Sequence, residues 1–458
     1  LNMINNMCKS FKTPFIINIS TLSGIFKYLP IIIVMSYLLM TIIFFTFGPN
    51  EWPIKNPVKL YTFLFFANTS LLIGYILGTK KRKLVYRCKS FRPLFRFSLL
   101  VYFLFLPITS YARTGNVIPD VLNAITNFGK AYYESKKVAW PEYLRMMVSP
   151  ALIACVPLGI YKWDQLRRLE KILLLFSIIY YISIDISRGK NKSLADYLII
   201  FTMILMLKKI KLFIDKTGSY VFHLNKRMLR ILIMYFIIIS LLGWVFFNYF
   251  TMVISSRTYS LYNSFTGNTI QIDNVLLAPF KTELQKYGAA KLMAYLSQGY
   301  YGLSLALDKP FHFSYGIGYS LFLLENAEEI LGLSNVKKLT YSYKLYDDNW
   351  PTGRVWSSFY VWPASDITFF GVILLMFIIG FIYATVWLES LLSNDHISLI
   401  IFSLLNILLF YIPANNQLFQ EGETFFGSWF WFLYWFLRRI YFTKKHGVNA
   451  KYNNVITG

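Results

Sequence analysis

Apolar residues in this chain come in long unbroken runs, separated by short polar segments. Ten runs stand out, at roughly 28–48, 58–78, 94–112, 143–161, 170–187, 193–213, 229–250, 367–388, 396–413 and 424–441. A helix crosses the hydrocarbon of a bilayer in about 20 residues. Backbone in hydrocarbon must satisfy its own hydrogen bonds, which leaves helices or closed barrels. The ten-residue alternation of membrane strands is absent. The pattern therefore predicts an all-α polytopic membrane protein of about ten transmembrane helices. It divides into an N-terminal bundle of seven spans (1–250), a long polar insertion (251–366), and a C-terminal bundle of three spans with a basic tail (367–458).

Composition fits that reading. Of 458 residues, 56% are hydrophobic and only 15% charged, yet the formal net charge is +24. Such basicity first suggests nucleic-acid binding, a partner that runs of membrane-spanning length exclude as the leading reading. The cations instead follow the positive-inside rule. Lys80 to Arg96 reads KKRKLVYRCKSFRPLFR, with eight cations and no anion. Placing it in the cytoplasm fixes every other loop by alternation, with both termini cytoplasmic. Lys9, Lys12 and Lys27, then Arg167 and Arg168, then Lys208, Lys209, Lys211 and Arg227, then Arg438, Arg439, Lys444 and Lys445 all fall inside. Only 389–395 lacks a cation. The cytoplasmic side then holds 27 of the 46 cations and 5 of the 22 anions. Most of the charge excess is an orientation signal.

Cys8, Cys88 and Cys155 give neither a disulfide framework nor a CxxC spacing, and the four histidines form no HExxH or HxxxH pair. No metal is expected. The first apolar run is too long for a cleaved leader, and no small-residue site follows it.

The outward segment 251–366 carries nine cations and eight anions, leaving out Asp366 at the membrane edge. It is dense in tyrosine and tryptophan. Its stretches 283–307 and 318–333 read as helices lying on or dipping into the outer membrane surface. The aromatics are either an interfacial belt or platforms for sugar rings. Tyr259, Tyr300, Tyr301, Tyr315 and Trp356 are the sugar-binding candidates.

One outward connection breaks the charge rule. Ser187-Arg188-Gly189-Lys190-Asn191-Lys192-Ser193 packs three cations into the five residues 188–192. Arg188, Lys190 and Lys192 can hold a multiply charged anion, with Asn191 and Ser193 presenting the free N–H groups of the next helix. The alternative is neutralisation of Arg188 and Lys192 by Asp185 and Asp196, or snorkelling to lipid phosphates. Arg257 and Arg354 are further outward arginines, the residue type suited to bidentate phosphate recognition. His312 is the only outward histidine and the candidate general base, since imidazole titrates near about 6.5. A histidine simply packed between Phe311 and Phe313 is the other reading. Asp366, opening the eighth span, is a helix N-cap, an arginine partner or a catalytic carboxylate.

This layout resembles the Wzy-type polymerases of bacterial O-antigen and capsular polysaccharide. The resemblance rests on SRGKNKS at Ser187–Ser193, on Arg257 onward, on YLSQGYYGLSLALDKPFHFSYGIG at Tyr295–Gly318, and on WSSFYVWPASDITFFG at Trp356–Gly371. Arg257 precedes Gly267 at one residue short of the Arg-x10-Gly spacing that some members carry. The resemblance implies a GT-C-like, metal- and cofactor-independent glycosyltransferase of the bacterial plasma membrane, its active site facing the periplasm or outside. It would join undecaprenyl-pyrophosphate-linked oligosaccharide repeat units by transfer from one lipid pyrophosphate to a sugar hydroxyl on another. Membrane lipids and a chain-length regulator protein are its implied partners. The related O-antigen ligases share the layout and use an outer-loop histidine, a part only His312 can play.

Other classes make different demands. A flippase or other transporter predicts internal repeats and mid-membrane charges, and the sequence shows no repeat. A membrane acyltransferase wants a nucleophile–base pair, and none stands out. A structural scaffold leaves the cations at 188–192 without a purpose.

Overall fold

The computed structural model describes residues 15–17, 22, 24–80, 83–85, 90–126, 128–133, 139–217, 226–257, 263–393 and 395–456. Among these residues the regular elements are helices, apart from one short antiparallel pair, β1 (Phe15–Ile17) with β2 (Lys83–Val85). The main helices are α1 (Gly24–Phe47), α2 (Pro57–Thr79), α3 (Arg92–Thr114), α4 (Ala139–Tyr161), α5 (Arg168–Ile186), α6 (Lys192–Thr217) and α7 (Lys226–Arg257). They continue with α8 (Glu283–Leu307), α9 (Leu321–Leu331), α10 (Ser334–Leu339), α11 (Ser358–Ser393), α12 (His396–Phe410) and α13 (Gly422–Ile456). Each of the ten predicted segments coincides with one of these helices. Among the described residues, five helices combine the length and hydropathy needed to cross a membrane: α1, α2, α3, most of α4, and α11. Their lipid-type faces carry exposed Leu39, Phe65, Leu104 and Phe370. This is an all-α membrane protein.

Local sequence sets the helix ends. Asn56 caps α2 by accepting from Lys59 N at 3.2 Å, with Pro57 in the first turn where its missing N–H costs nothing. Thr282 and Gln285 form a reciprocal capping box at α8. Asp395 caps α12. The core is held by close helix packing. α2 lies along α11 at glycines: a Cβ on Gly74 would meet Phe377 O at 2.0 Å, and one on Gly380 would meet Leu71 O at 2.1 Å. Tyr383 stacks on Phe402 at 5.4 Å and donates to Asn406 Oδ1 at 2.7 Å, satisfying its hydroxyl inside the bundle.

The helix connections sort into two linked groups. In one group β1 pairs with β2, Arg96 meets Glu170 at 2.7 Å, Asp164 meets Lys208 at 2.7 Å, Tyr161 donates to Ser390 O at 3.4 Å, and Arg438 donates to Asp395 at 2.7 Å. In the other, Gln271 N donates to Pro49 O at 2.9 Å, Lys59 meets Asp308 at 2.9 Å, Arg113 meets Asp185 at 3.9 Å, Lys192 meets Glu421 at 3.5 Å, and Ser358 N donates to Ala414 O at 3.0 Å. The first group contains every segment assigned to the cytoplasm from charge, and the second every segment assigned outward.

Two expectations for 251–366 need correction. α8 does not lie on a surface: from Ser297 to Leu307 every residue is buried, and Tyr300 hydrogen-bonds Thr41 of α1 at 3.0 Å. Its apolar half is covered by other helices of the protein rather than by lipid. The N-cap of the eighth predicted span is also not Asp366. α11 is kinked at Thr368, where φ is 65°, and the Thr368 hydroxyl accepts from Gly371 N at 3.4 Å. A β-branched residue in the left-handed region is strained, and this one separates a buried first segment from the apolar remainder of α11. α9, by contrast, leaves Ile330 and Leu331 exposed, and with α10 it borders an apolar groove of about 760 Å³.

Candidate functional site at a buried charged node

Four separate parts of the chain deliver charge to one place. The last turn of α3 supplies Arg113, and the first turns of α4 supply Glu142 and Arg145. The α5–α6 hairpin supplies Asp185, Arg188, Lys190 and Lys192. The approach to α13 supplies Glu421 and Glu423. The hairpin turns on Gly189 at φ 58°, where a Cβ would stand 2.6 Å from Phe128 O, so no larger residue fits. Asp185 anchors it: its carbonyl accepts from Lys190 N at 2.9 Å and its carboxylate from Ser193 N at 2.9 Å. The helix-start N–H expected to face a bound anion is thus taken by the chain's own carboxylate.

Arg113 is the hub. It donates to Tyr181 Oη at 2.9 Å and lies 3.3 Å from Glu421, 3.4 Å from Glu423, 3.8 Å from Glu142 and 3.9 Å from Asp185. Arg145, wholly buried, pairs with Glu142 at 2.6 Å and with Glu423. Arg188 is 4% exposed and, among the described residues, reaches only Asp185, at 3.9 Å. Burial, then the Arg113 charge, lowers its guanidinium below the usual arginine range. Lys192 forms its ion pair with Glu421, at 3.5 Å, where the neutralisation reading names Asp196. Lys192, opposed by burial, and then Arg113, Lys190 and Arg188 hold the Glu421 carboxyl well below the usual carboxylate range.

The node is nearly compensated in charge but not in hydrogen bonding. Arg145 Nε, Arg188 Nε, both polar side-chain atoms of Asn191, Ser193 Oγ and Gln420 Nε2 are buried without a partner among the described residues. Buried polar groups are nearly always satisfied, so their concentration here marks a place built for more than packing.

The loop before α13 joins this node to the 251–366 segment. Asn415 Oδ1 accepts from Trp362 Nε1 at 2.7 Å, Asn416 Nδ2 donates to Tyr319 O at 2.7 Å, and Phe419 O accepts from Ser320 Oγ at 2.7 Å. Trp429 Nε1 donates to Tyr319 Oη at 3.1 Å.

The residues singled out from sequence are placed as follows. Arg188, Lys190 and Lys192 lie in the node. Arg354 is exposed in a turn, where its own N–H bonds Pro351 O at 3.2 Å. Arg257 ends α7 and its side chain lies outside the described residues, as does Tyr259. Asp366 accepts from Ser314 Oγ at 2.5 Å, Gly316 N at 2.9 Å and Tyr319 N at 2.9 Å, so it clamps the 314–319 turn. His312 is exposed, with Lys344 Nζ 2.7 Å from its Nδ1. Burial, then Lys309, lowers the Lys344 amine. Tyr300 is fully buried, and Tyr301 sits edge-on to Trp350 at 4.9 Å, so neither offers an open face to a sugar. Trp356 is half-buried against Tyr295 at 4.2 Å, while Tyr315 is exposed at φ 58°.

Sequence reasoning missed Arg113, Glu142, Arg145, Glu421 and Glu423. Each is a single charge at a span edge, and the contact between Arg113 and Glu421 joins positions 308 residues apart. The available signal was five such edge charges on one predicted side. No family model, curated protein or solved structure matches this chain.

Proposed function

We propose that this chain is an integral-membrane glycosyltransferase of the bacterial plasma membrane. It joins undecaprenyl-pyrophosphate-linked oligosaccharide repeat units into a polysaccharide on the outer face. Ten crossings with both termini inside agree with the charge bias and with the sorting of the connections into two linked groups. The node then lies outside, beside the aromatic 251–366 segment.

The observation that carries this reading is the convergence of Arg113, Arg145, Arg188 and Lys192, with partnerless N–H donors, at the ends of four helices. In the proposed transfer an acceptor hydroxyl attacks the anomeric carbon of the donor. The bond from that carbon to the pyrophosphate oxygen breaks, and the acceptor proton leaves to a carboxylate or to water. The pyrophosphate gains negative charge as it departs, and fixed cations in a site shielded from water stabilise it. In this reading the carboxamides of the 415–420 loop, which hydrogen-bonds the 251–366 segment, and Trp356 are the groups that would contact the sugars. Asp366 accepts from three donors of the 314–319 turn, which gives it a supporting part in this reading.

Purified protein supplied with a lipid-linked repeat unit alone is expected to yield a ladder of chain lengths. Arg188→Ala is expected to lower extension at least about a hundredfold, in line with loss of one charge-stabilising donor, while leaving membrane insertion intact. Normal-length polymer from that variant sinks the reading. Product formed only with a second, non-repeat acceptor assigns a ligase instead, the reading that the exposed His312 favours.

A further inference from the structure

The four carboxylates of the node are not equivalent. Asp185 and Glu423 have side chains 5% and 10% exposed, and Glu142 31%, whereas the Glu421 side chain is 43% exposed. Its contacts are also loose. Glu421 stands 3.3 Å from Arg113 and 3.5 Å from Lys192, where firm charge-assisted bonds measure about 2.7–2.9 Å. Its backbone is fixed independently: the Glu421 carbonyl accepts from Phe425 N at 2.9 Å and Thr424 Oγ1 at 3.1 Å at the start of α13. The side chain can therefore swing without melting the helix.

The same hairpin and loop carry donors that no acceptor satisfies. Arg188 Nε and Asn191 Nδ2 belong to residues 4% and 7% exposed, and among the described residues neither has a partner, nor has Nε2 of Gln420, the residue before Glu421. What such N–H groups lack is an acceptor. A carboxylate brings two oxygens; a phosphate or pyrophosphate brings more, with greater charge. The four cations that act on Glu421 would act on that ligand in the same way.

We propose that Arg113, Arg188, Lys190 and Lys192, with Asn191 and Gln420, form an exchangeable site for a phosphate or pyrophosphate group, and that the Glu421 carboxylate occupies it until the ligand displaces it. The identity of the ligand as the pyrophosphate of a lipid-linked sugar rests on the function proposed above; the exchange itself does not. Glu421 acts as an internal competitor. It supplies one of the node's four negative charges in the absence of ligand, facing buried Arg113 and Arg188 and half-buried Lys190 and Lys192, and its displacement leaves the node with the positive charge that binding requires.

The test measures binding to the full chain in detergent by calorimetry, with inorganic pyrophosphate and farnesyl pyrophosphate as probes. The wild type is expected to bind both, and Arg188→Ala to lose at least about tenfold in affinity. Glu421→Gln, which removes the competing charge, is expected to bind at least about tenfold tighter, because a site occupied internally has its apparent affinity reduced by the free fraction. Glu421→Asp keeps the charge but shortens its reach, and is expected to bind more tightly than the wild type by a smaller factor. It serves as the second variant where Glu421→Gln does not fold. Tighter binding of the farnesyl probe assigns the group to a lipid headgroup, and equal binding assigns recognition to the phosphates alone. Unchanged or weaker affinity in both Glu421 variants overturns the exchange. Exchange without ladder formation removes the polymerase reading and leaves the site; ladder formation without exchange does the reverse.

Discussion

At the scale of single residues, the chain tolerates buried charge only where something answers it, and Lys291 is the informative exception. It is buried, its ammonium donates to Asn263 O, and it lies 5.4 Å over the Phe265 ring. No acidic partner for it is found among the described residues. Burial lowers its pKa from 10.5 to about 8. The sign of the consequence follows from linkage. Between about pH 8 and 10.5 the unfolded chain holds this proton and the folded one has released it. The unfolded state binds more protons, so stability rises with pH across that window. Thermal midpoints of the wild type minus those of Lys291→Met are expected to climb from pH 7.5 to 10 and then level off. A flat difference means that the amine keeps its ordinary titration. Residues of this kind also show what sequence conceals. Lys291 reads as one more surface lysine of an amphipathic stretch, and only the packing of α8 beneath Asn263 and Phe265 reveals it as buried.

At the scale of elements, the long apolar runs were legible because hydropathy over about 20 residues depends on no tertiary partner. Helix partners were less so. α2 and α11 make the closest long contact, and the glycines that permit it, Gly74 and Gly78, form a Gly-Tyr-Ile-Leu-Gly spacing. Small residues four apart let helix backbones approach, and dispersion then holds them. A Cβ on Gly74 would overlap Phe377 O, and one on Gly78 would come 2.7 Å from the Ala384 Cβ. Gly74→Leu is therefore expected to force the helices apart and cost about 1–3 kcal/mol, the usual range for overpacking. Its midpoint on heating in detergent should fall accordingly, whereas Ile73→Leu, at a site 46% exposed, should leave it within error. A stable Gly74→Leu protein would mean that α2 and α11 are not so closely apposed. α8 shows the opposite limit. Its apolar half has the composition of an interfacial helix, and only the presence of α1 and α11 around it decides that protein covers it. The node was half legible for a related reason. Arg188, Lys190 and Lys192 cluster within one hairpin, but Glu421, which pairs with Lys192, and Arg113, the hub of the node, come from distant span edges that only folding brings together.

At the scale of the whole molecule, the two linked groups of connections turn a statistical charge bias into a physical constraint. A loop that contacts others across the wrong face would need its helix to cross twice or not at all. The link from Arg96 to Glu170, and those from Asp164 to Lys208 and Asp395 to Arg438, put the basic segments at one end. The charged node and the 251–366 segment stand at the other. The rule that cations stay in the cytoplasm predicts that the basic end faces inward. Cysteine accessibility in intact cells tests it directly. Val275, 84% exposed, lies in the segment assigned outward, and exposed Lys80 in the segment assigned inward. Val275→Cys is expected to react with a membrane-impermeant maleimide in intact cells, and Lys80→Cys only after permeabilisation, both in a background lacking Cys8, Cys88 and Cys155. The reverse pattern would invert the molecule and place the node in the cytoplasm, where a lipid pyrophosphate on the outer leaflet could not reach it. The proposed polymerase would then fail on geometry, while the exchangeable anion site, defined by contacts rather than by side, would stand.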